Sequence, residues 1–248
     1  MVFSPLEQFE ITTLISLKIF DFNFSITNFI LFLFFMVGFI CLWNLLSIFQ
    51  ATIIPNRWQL ITENIYNILS KLLFESIGLR GQIYLPFIYT LFFVILGCNL
   101  IGMVPYTFSL TSHIILTLTL AMVAFIAINI IGIVEHKFNF LSVFLPRDTS
   151  PILIPLLVGI EFISYNVKVL TLAIRLFANI TSGHTLLKII AGFAWSMLSI
   201  GGLFSVLYLI PALLLVVLTG LELGISILQA YVFVLLICIY LNDVINLH

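Results

Sequence analysis

The stretch from Glu161 to Lys188, EFISYNVKVLTLAIRLFANITSGHTLLK, is as apolar as a membrane helix, yet Glu161, Lys168, Arg175 and His184 lie inside it. At about 100° per residue, Glu161, Ser164, Lys168, Thr171, Arg175, Asn179 and Ser182 share one helical face. Asn166 and His184 fall nearly opposite, on a second and smaller polar face. An ionisable side chain at mid-bilayer costs about 2.5–3.5 kcal/mol on insertion scales, so chance rarely leaves several on one line. The stripe implies a path for ions or protons. A structural ion pair between Glu161 and Lys168 is the alternative, although their spacing along the helix permits it only loosely. Lys168 alone could also snorkel toward the interface.

Only 8% of the 248 residues are charged, against 62% hydrophobic, and mean hydropathy is +1.29. Soluble domains carry about 25% charged residues, so the chain is expected to be an all-α polytopic membrane protein forming a single domain. A net charge of −1 argues against nucleic acid as a partner. Cys41, Cys98 and Cys238 are isolated in apolar runs, which suggests neither a disulfide framework nor a metal site. The four histidines form no haem-binding pairs, and no cofactor is expected. The first residues, MVFSPLEQFE, carry acids rather than the basic start of a cleavable secretory signal.

Residues 1–22, with Glu7, Glu10, Lys18 and Asp21, read as a short extramembrane segment. An apolar run over 26–49 is long enough to span, since about 20 residues suffice. Over 56–77, Trp58, Ile61, Ile65, Ile68, Leu69 and Leu72 recur at helical spacing, opposite Arg57, Gln59, Glu63, Asn67 and Lys71. That pattern predicts an amphipathic helix lying in the interface; a solvent helix docked on a partner is the alternative. Spans are expected at 83–104 and 114–134, joined by the polar turn MVPYTFSLTSH, and Pro146 and Pro151 punctuate the loop that follows. The segments 150–190 and 202–242 are each about 60 Å long as helices, at about 1.5 Å per residue, against about 30 Å of hydrocarbon. No charged turn divides either, so two strongly tilted helices are expected, with Pro155 and Pro211 as candidate kinks.

With five membrane-embedded helices, Arg57, Lys71, Arg80, Lys137 and Arg147 fall on one side with the C-terminus, and Lys18 and Lys188 fall on the other. The positive-inside rule puts the C-terminus inside and the N-terminus outside. Pairing the last two helices antiparallel then places His184 with Glu222 in the outer half and Glu161 with Asp243 in the inner half. Arg175 and Gln229 fall between, and Glu222, Ser226, Gln229 and Tyr240 share a face. Gly220 and Gly224 have the small-xxx-small spacing that lets helices approach closely. Carboxylates and histidine can pass protons once their environment is tuned. A guanidinium cannot, because it keeps its proton. Arg175 is therefore a barrier between two half-paths, and a fixed charge for a mobile carboxylate from another subunit to pass.

The runs LAIRLFANITSGHTLLKIIAGF, SPLEQFEI, NLIGMVPYTF and ELGISILQAYVF resemble the subunit a family of the F-type ATP synthase membrane sector, in its mitochondrial form. The similarity spans nearly the whole chain, and the arginine run is highly specific to that family. The resemblance implies the stator half of a rotary proton turbine, without a catalytic site of its own. Its partners would be a ring of c subunits, the other membrane-sector and peripheral-stalk subunits, protons and the bilayer. It would lie in the mitochondrial inner membrane, with its N-terminus in the intermembrane space and its C-terminus in the matrix. Carried over by matching motif, Arg175 resembles the essential arginine facing the ring carboxylate, with Asn179 and Gln229 as polar neighbours. His184 and Glu222 occupy the intermembrane-space channel, and Glu161 and Asp243 the matrix-side channel, with Ser182 and Tyr240 on the same path. Bacterial relatives tend to place an acid at the position of His184 and a histidine at that of Glu222, so the order here is the mitochondrial one. A self-contained transporter is a competing class, but such proteins usually show inverted repeats, and no second copy of the stripe is found. A redox subunit would need ligands that the sequence lacks.

Overall fold

The computed structural model describes residues 4, 6–16, 18–19, 22–23, 25–49, 51–104, 107–137, 140, 154–202 and 207–246. Asp21, Pro146, Arg147 and Pro151 lie outside the described residues, as do 150–153 and 203–206 at the starts of the two long segments. Six long helices make up the described chain: α1 (Asn28–Ile48), α2 (Arg57–Ile77), α3 (Leu85–Met103), α4 (Ile114–His136), α5 (Ile154–Ile200) and α6 (Leu209–Ile245). Among the described residues, all but α2 are long and apolar enough to cross a membrane, with a 3-10 turn over Leu79–Tyr84 leading into α3. The fold is that of an all-α membrane protein.

Local chemistry sets the ends of these helices. Thr27 caps α1, its hydroxyl accepting from the amide of Ile30 at 3.4 Å. α5 runs ten residues past 190, to Ile200, because AGFAWSMLSI contains nothing that breaks a helix. Gly201 (φ 75°) and Gly202 (φ 65°) then stop it in the left-handed region, which costs glycine little. Pro155 and Pro211 sit in the first turns of α5 and α6, where the missing amide has no intrahelical partner to lose, so neither has to bend its helix. At 47 residues α5 is about 70 Å long, and at 37 residues α6 is about 55 Å. Neither can stand upright with its apolar length inside about 30 Å of hydrocarbon.

The core is built around the second half of α6, which packs against α2, α3, α4 and α5. Ala230, Phe233, Val234, Ile237, Cys238 and Leu241 of α6 are buried against Leu69 and Leu73 of α2, Ile88 and Ile95 of α3, Ile128 of α4, and Leu172 and Leu176 of α5. The C-terminal half of α2 is thus fastened to the bundle, while Trp58 and Ile61 at its start remain exposed. In lipid the apolar surface gains little by leaving hydrocarbon, so close packing and interhelical hydrogen bonds must hold the helices together. Asn99 of α3 donates to the Ser226 carbonyl of α6 at 3.2 Å, and Tyr165 of α5 donates to Asn129 of α4 at 2.9 Å. Each such bond is worth about 0.6 kcal/mol, rising to about 1.7.

Two expectations are corrected. The connection after α3 is not a solvated polar turn: Phe108, Ser109, Leu110, Thr111 and Ser112 are buried, and the 3-10 turn Leu110–Ser112 packs on α5. Gly220 and Gly224 make no close helix contact, since a Cβ added at either would meet nothing within 4 Å. They face open space because the outer half of α6 diverges from its neighbours around a cavity, which Gly220 lines. Close approach occurs instead at Gly132 of α4, where an added Cβ would lie 2.5 Å from both Val244 Cγ1 and Phe140 Cε2.

In and just after the segment expected to be extramembrane, β1 (Thr13–Ile15) pairs antiparallel with β4 (Ile26–Thr27), and β2 (Lys18–Ile19) with β3 (Phe22–Asn23). Overpacking of a helix contact costs about 1–3 kcal/mol. Gly132→Val is expected to lower the detergent melting temperature of the purified protein clearly. Gly159→Ala, at a position with open space, should leave it unchanged.

Candidate functional site: a polar line along the α5–α6 hairpin

The stripe residues are presented along α5 with different degrees of exposure. Arg175, Ser164, Thr171 and Ser182 are exposed, and Glu161, Lys168 and Asn179 are partly buried. Thr171 and Ser182 return their hydroxyls to their own helix, to the carbonyls of Lys168 (2.8 Å) and Asn179 (3.3 Å). Asn166, off the stripe, does the same with its amide, to Phe162 at 2.8 Å. Helical hydroxyls and amides can satisfy themselves this way, which leaves the charged groups to define the line.

At mid-height Asn179 donates to the side-chain oxygen of Gln229 at 2.8 Å, joining α5 to α6 one turn from Arg175. Gln229 is buried. Arg175 itself forms no ion pair or hydrogen bond among the described residues. Apolar Val167, Leu170 and Ile174 are exposed beside the polar line that Arg175 shares with exposed Thr171 and Ser182. A guanidinium amid exposed apolar residues is not a lipid-facing arrangement. The face requires a partner.

On the outer side of that bond, His184 and Glu222 line one cavity of about 170 Å³ with Asn179, Ser182, Gly183 and Met103. Both carboxylate oxygens of Glu222 and Nε2 of His184 are removed from solvent without a hydrogen-bond partner among the described residues. Unpartnered buried polar atoms are rare enough to mark a site for water or protons. Gly183 makes this geometry possible: a Cβ there would overlap the Glu222 carboxylate, lying 2.8 Å from its carboxyl carbon. His184 also borders a larger cavity of about 1060 Å³ between the outer ends of α1, α3, α5 and α6.

On the inner side the grouping differs from the expected pair of Glu161 with Asp243. Asp243 meets Lys168 at 3.7 Å, and the Lys168 ammonium lies 5.3 Å from the centre of the Tyr240 ring. Glu161 has no ion-pair partner among the described residues. The reason is electrostatic as well as geometric: two carboxylates repel, whereas the lysine two turns further along α5 both reaches and neutralises the acid. The inner cluster is Lys168, Tyr240 and Asp243, with Tyr165 and Asn129 bonded behind it. The sequence placed Lys168 on the stripe without giving it this role. Gly183 and the Asn99–Ser226 bond had no signal beyond residue type.

Gly183→Ala is expected to destabilise the protein by about 1–3 kcal/mol through the Glu222 side chain. The cost should largely vanish in a Glu222→Ala background. Additive losses in that double-mutant cycle, measured by denaturation, would mean the two residues do not touch.

A family model described as ATP synthase A chain matches residues 15–242. The chain is similar to a protein named ATP synthase subunit a from Chondrus crispus, 56% identical over 248 residues, covering 100% of this chain and 98% of the relative. It is also 46% identical over 252 residues to ATP synthase subunit a from Marchantia polymorpha, with 100% of both chains covered. A relative of the same name from Pylaiella littoralis is 47% identical over 250 residues, covering 99% of each chain. A family match over residues 15–242, together with full-length similarity of this kind, makes the chain a member of the ATP synthase A chain family.

Proposed function

We propose that the chain is the proton-conducting stator subunit of an ATP synthase membrane sector, working against a ring of c subunits in the mitochondrial inner membrane. The observation that supports this best is Arg175: exposed, without an acidic partner among the described residues, and set between two polar clusters that do not meet. A ring that turns past α5 would offer carboxylates one at a time to that guanidinium.

Protons would enter from the intermembrane space through the cavity lined by His184 and Glu222 and pass to a ring carboxylate. After nearly a full turn they would leave toward the matrix past Tyr240, Asp243 and Glu161. Arg175 would hold the ring carboxylate ionised as it passes and block direct transfer between the half-paths. Asn179 and Gln229, bonded at 2.8 Å, would fix the height of the arginine between the clusters. The N-terminus would face the intermembrane space and the C-terminus the matrix, with peripheral-stalk and other membrane-sector subunits covering further apolar surface.

Glu222→Gln removes a titrating group and keeps its shape. It is expected to slow proton flux through the isolated membrane sector on the order of 10²-fold, with the ring still co-purifying. Unchanged flux would refute the outer path. Arg175→Lys is expected to abolish coupled synthesis although the charge is kept, because a buried ammonium can give up its proton where a guanidinium cannot. Arg175→Ala should let protons cross passively without rotation. Each charge moved through 100 mV is worth about 2.3 kcal/mol, so such a leak would show as loss of an imposed potential in reconstituted vesicles. A tight membrane with normal synthesis in the lysine variant would exclude the barrier role.

A further inference from the structure

The large outer cavity has a boundary from a part of the chain that the polar stripe does not touch. Gln8 lines it together with Asn28, His184, Lys188 and Thr219. The segment around Gln8 is fastened on both sides. The Lys188 ammonium donates to the Ser4 carbonyl at 3.2 Å, and the Phe9 ring meets the His184 imidazole edge-on, with centroids 6.4 Å apart and planes at 76°. On the other side, Asn28 at the start of α1 donates to the Glu10 carbonyl at 3.1 Å and accepts from the Thr12 amide at 3.2 Å. The β1–β4 pairing continues that attachment. Ser4 and residues 6–12 are thereby strapped between α1 and α5 at the mouth of the cavity.

Within this strap the polar side chain that lines the cavity is Gln8. Its Nε2 is removed from solvent without a hydrogen-bond partner among the described residues, as is Nε2 of His184, which lines the same cavity. At about 30 Å³ per water in the liquid, a volume of about 1060 Å³ has room for a chain of waters between the two side chains. An amide does not titrate, but it both donates and accepts. That chemistry suits orienting a water rather than carrying a proton.

We propose that Gln8 is a further positioning residue of the outer proton path, its amide holding the water that hands a proton to His184. This rests on the outer path proposed above. A hydronium ion held under Gln8 gives its proton to neutral His184 and remains as water. The imidazolium then gives a proton to the ionised Glu222 across the smaller cavity that His184 also lines, and returns to neutral. Phe9, packed on the same imidazole, keeps the ring turned between the two cavities.

The test uses the intact complex in reconstituted vesicles under an imposed potential. Gln8→Leu, which keeps bulk and removes both hydrogen-bonding functions, is expected to slow proton flux about fivefold, the scale of one lost hydrogen bond. Gln8→Asn should recover part of it, which a merely structural role would not predict. In a Gln8→Cys complex, already assembled, a membrane-impermeant cationic thiol reagent added on the outer side should cut flux further and should have no effect from the inner side. Glu7→Cys, exposed beside it, should react without changing flux. Wild-type flux in an assembled Gln8→Leu complex, or no response to modification at position 8, would overturn the proposal. Glu222→Gln in the same preparation separates the levels. Slow flux there with normal flux in Gln8→Leu removes only the role of Gln8, and normal flux in Glu222→Gln removes the path itself.

Discussion

A guanidinium cannot be left against hydrocarbon, and Arg175 is exposed on α5, on a polar line flanked by exposed apolar Val167 and Ile174. Much of the architecture follows from that single placement. The helix must present the arginine at a fixed height, so the Asn179–Gln229 bond pins α5 to α6 one turn away. The bond in turn needs α6 held still, and α6 is the helix on which α2, α3, α4 and α5 converge. Among the described residues Asp243 is paired with Lys168 and forms no ion pair with Arg175. The outer acid is also apart, since Glu222 lies in a separate cavity with His184.

What could be read from the sequence and what could not divide along a physical line. Helical periodicity depends only on the chain itself, so the polar stripe and the two-sided character of α2 were legible from residue spacing. Helix ends were less so: nothing in the apolar stretch after 190 ends a helix, and α5 runs on until Gly201 and Gly202 stop it. Contacts between helices depend on register and rotation, which spacing does not encode. The sequence therefore marked Glu161 and Asp243 as partners by depth alone, whereas charge and reach pair Asp243 with Lys168. Glycine spacing pointed to Gly220 and Gly224, whereas the close approaches are at Gly132 and Gly183. A small residue is a licence for proximity and not evidence of it. The stretch 107–113 misled for a related reason: its hydroxyls suggest water, yet it is folded inward.

The strap across the outer opening shows how a segment with little apolar content can be ordered. It has no core of its own, and two strand pairings and one asparagine are weak individually. Its position comes from elements already fixed by the bundle, the start of α1 and the Lys188 turn of α5. Ordering is therefore borrowed from the helices, which is why the acidic residues at its start suggested only a short extramembrane segment.

The uneven packing of the long hairpin has a mechanical consequence. The second half of α6 and the first half of α5 are clamped by four helices' worth of interdigitated side chains, whereas beyond Glu222 the two helices are separated by a cavity and lined by exposed Leu213, Val216 and Val217. Stiffness in a packed interior falls where contacts are missing. A sideways load applied along α5 would thus bend the hairpin at its outer end first and leave the height of Arg175 almost unchanged. The molecule resembles a cantilever rooted in the packed half of α6, in which compliance is gathered where the cavity lies and kept away from Arg175.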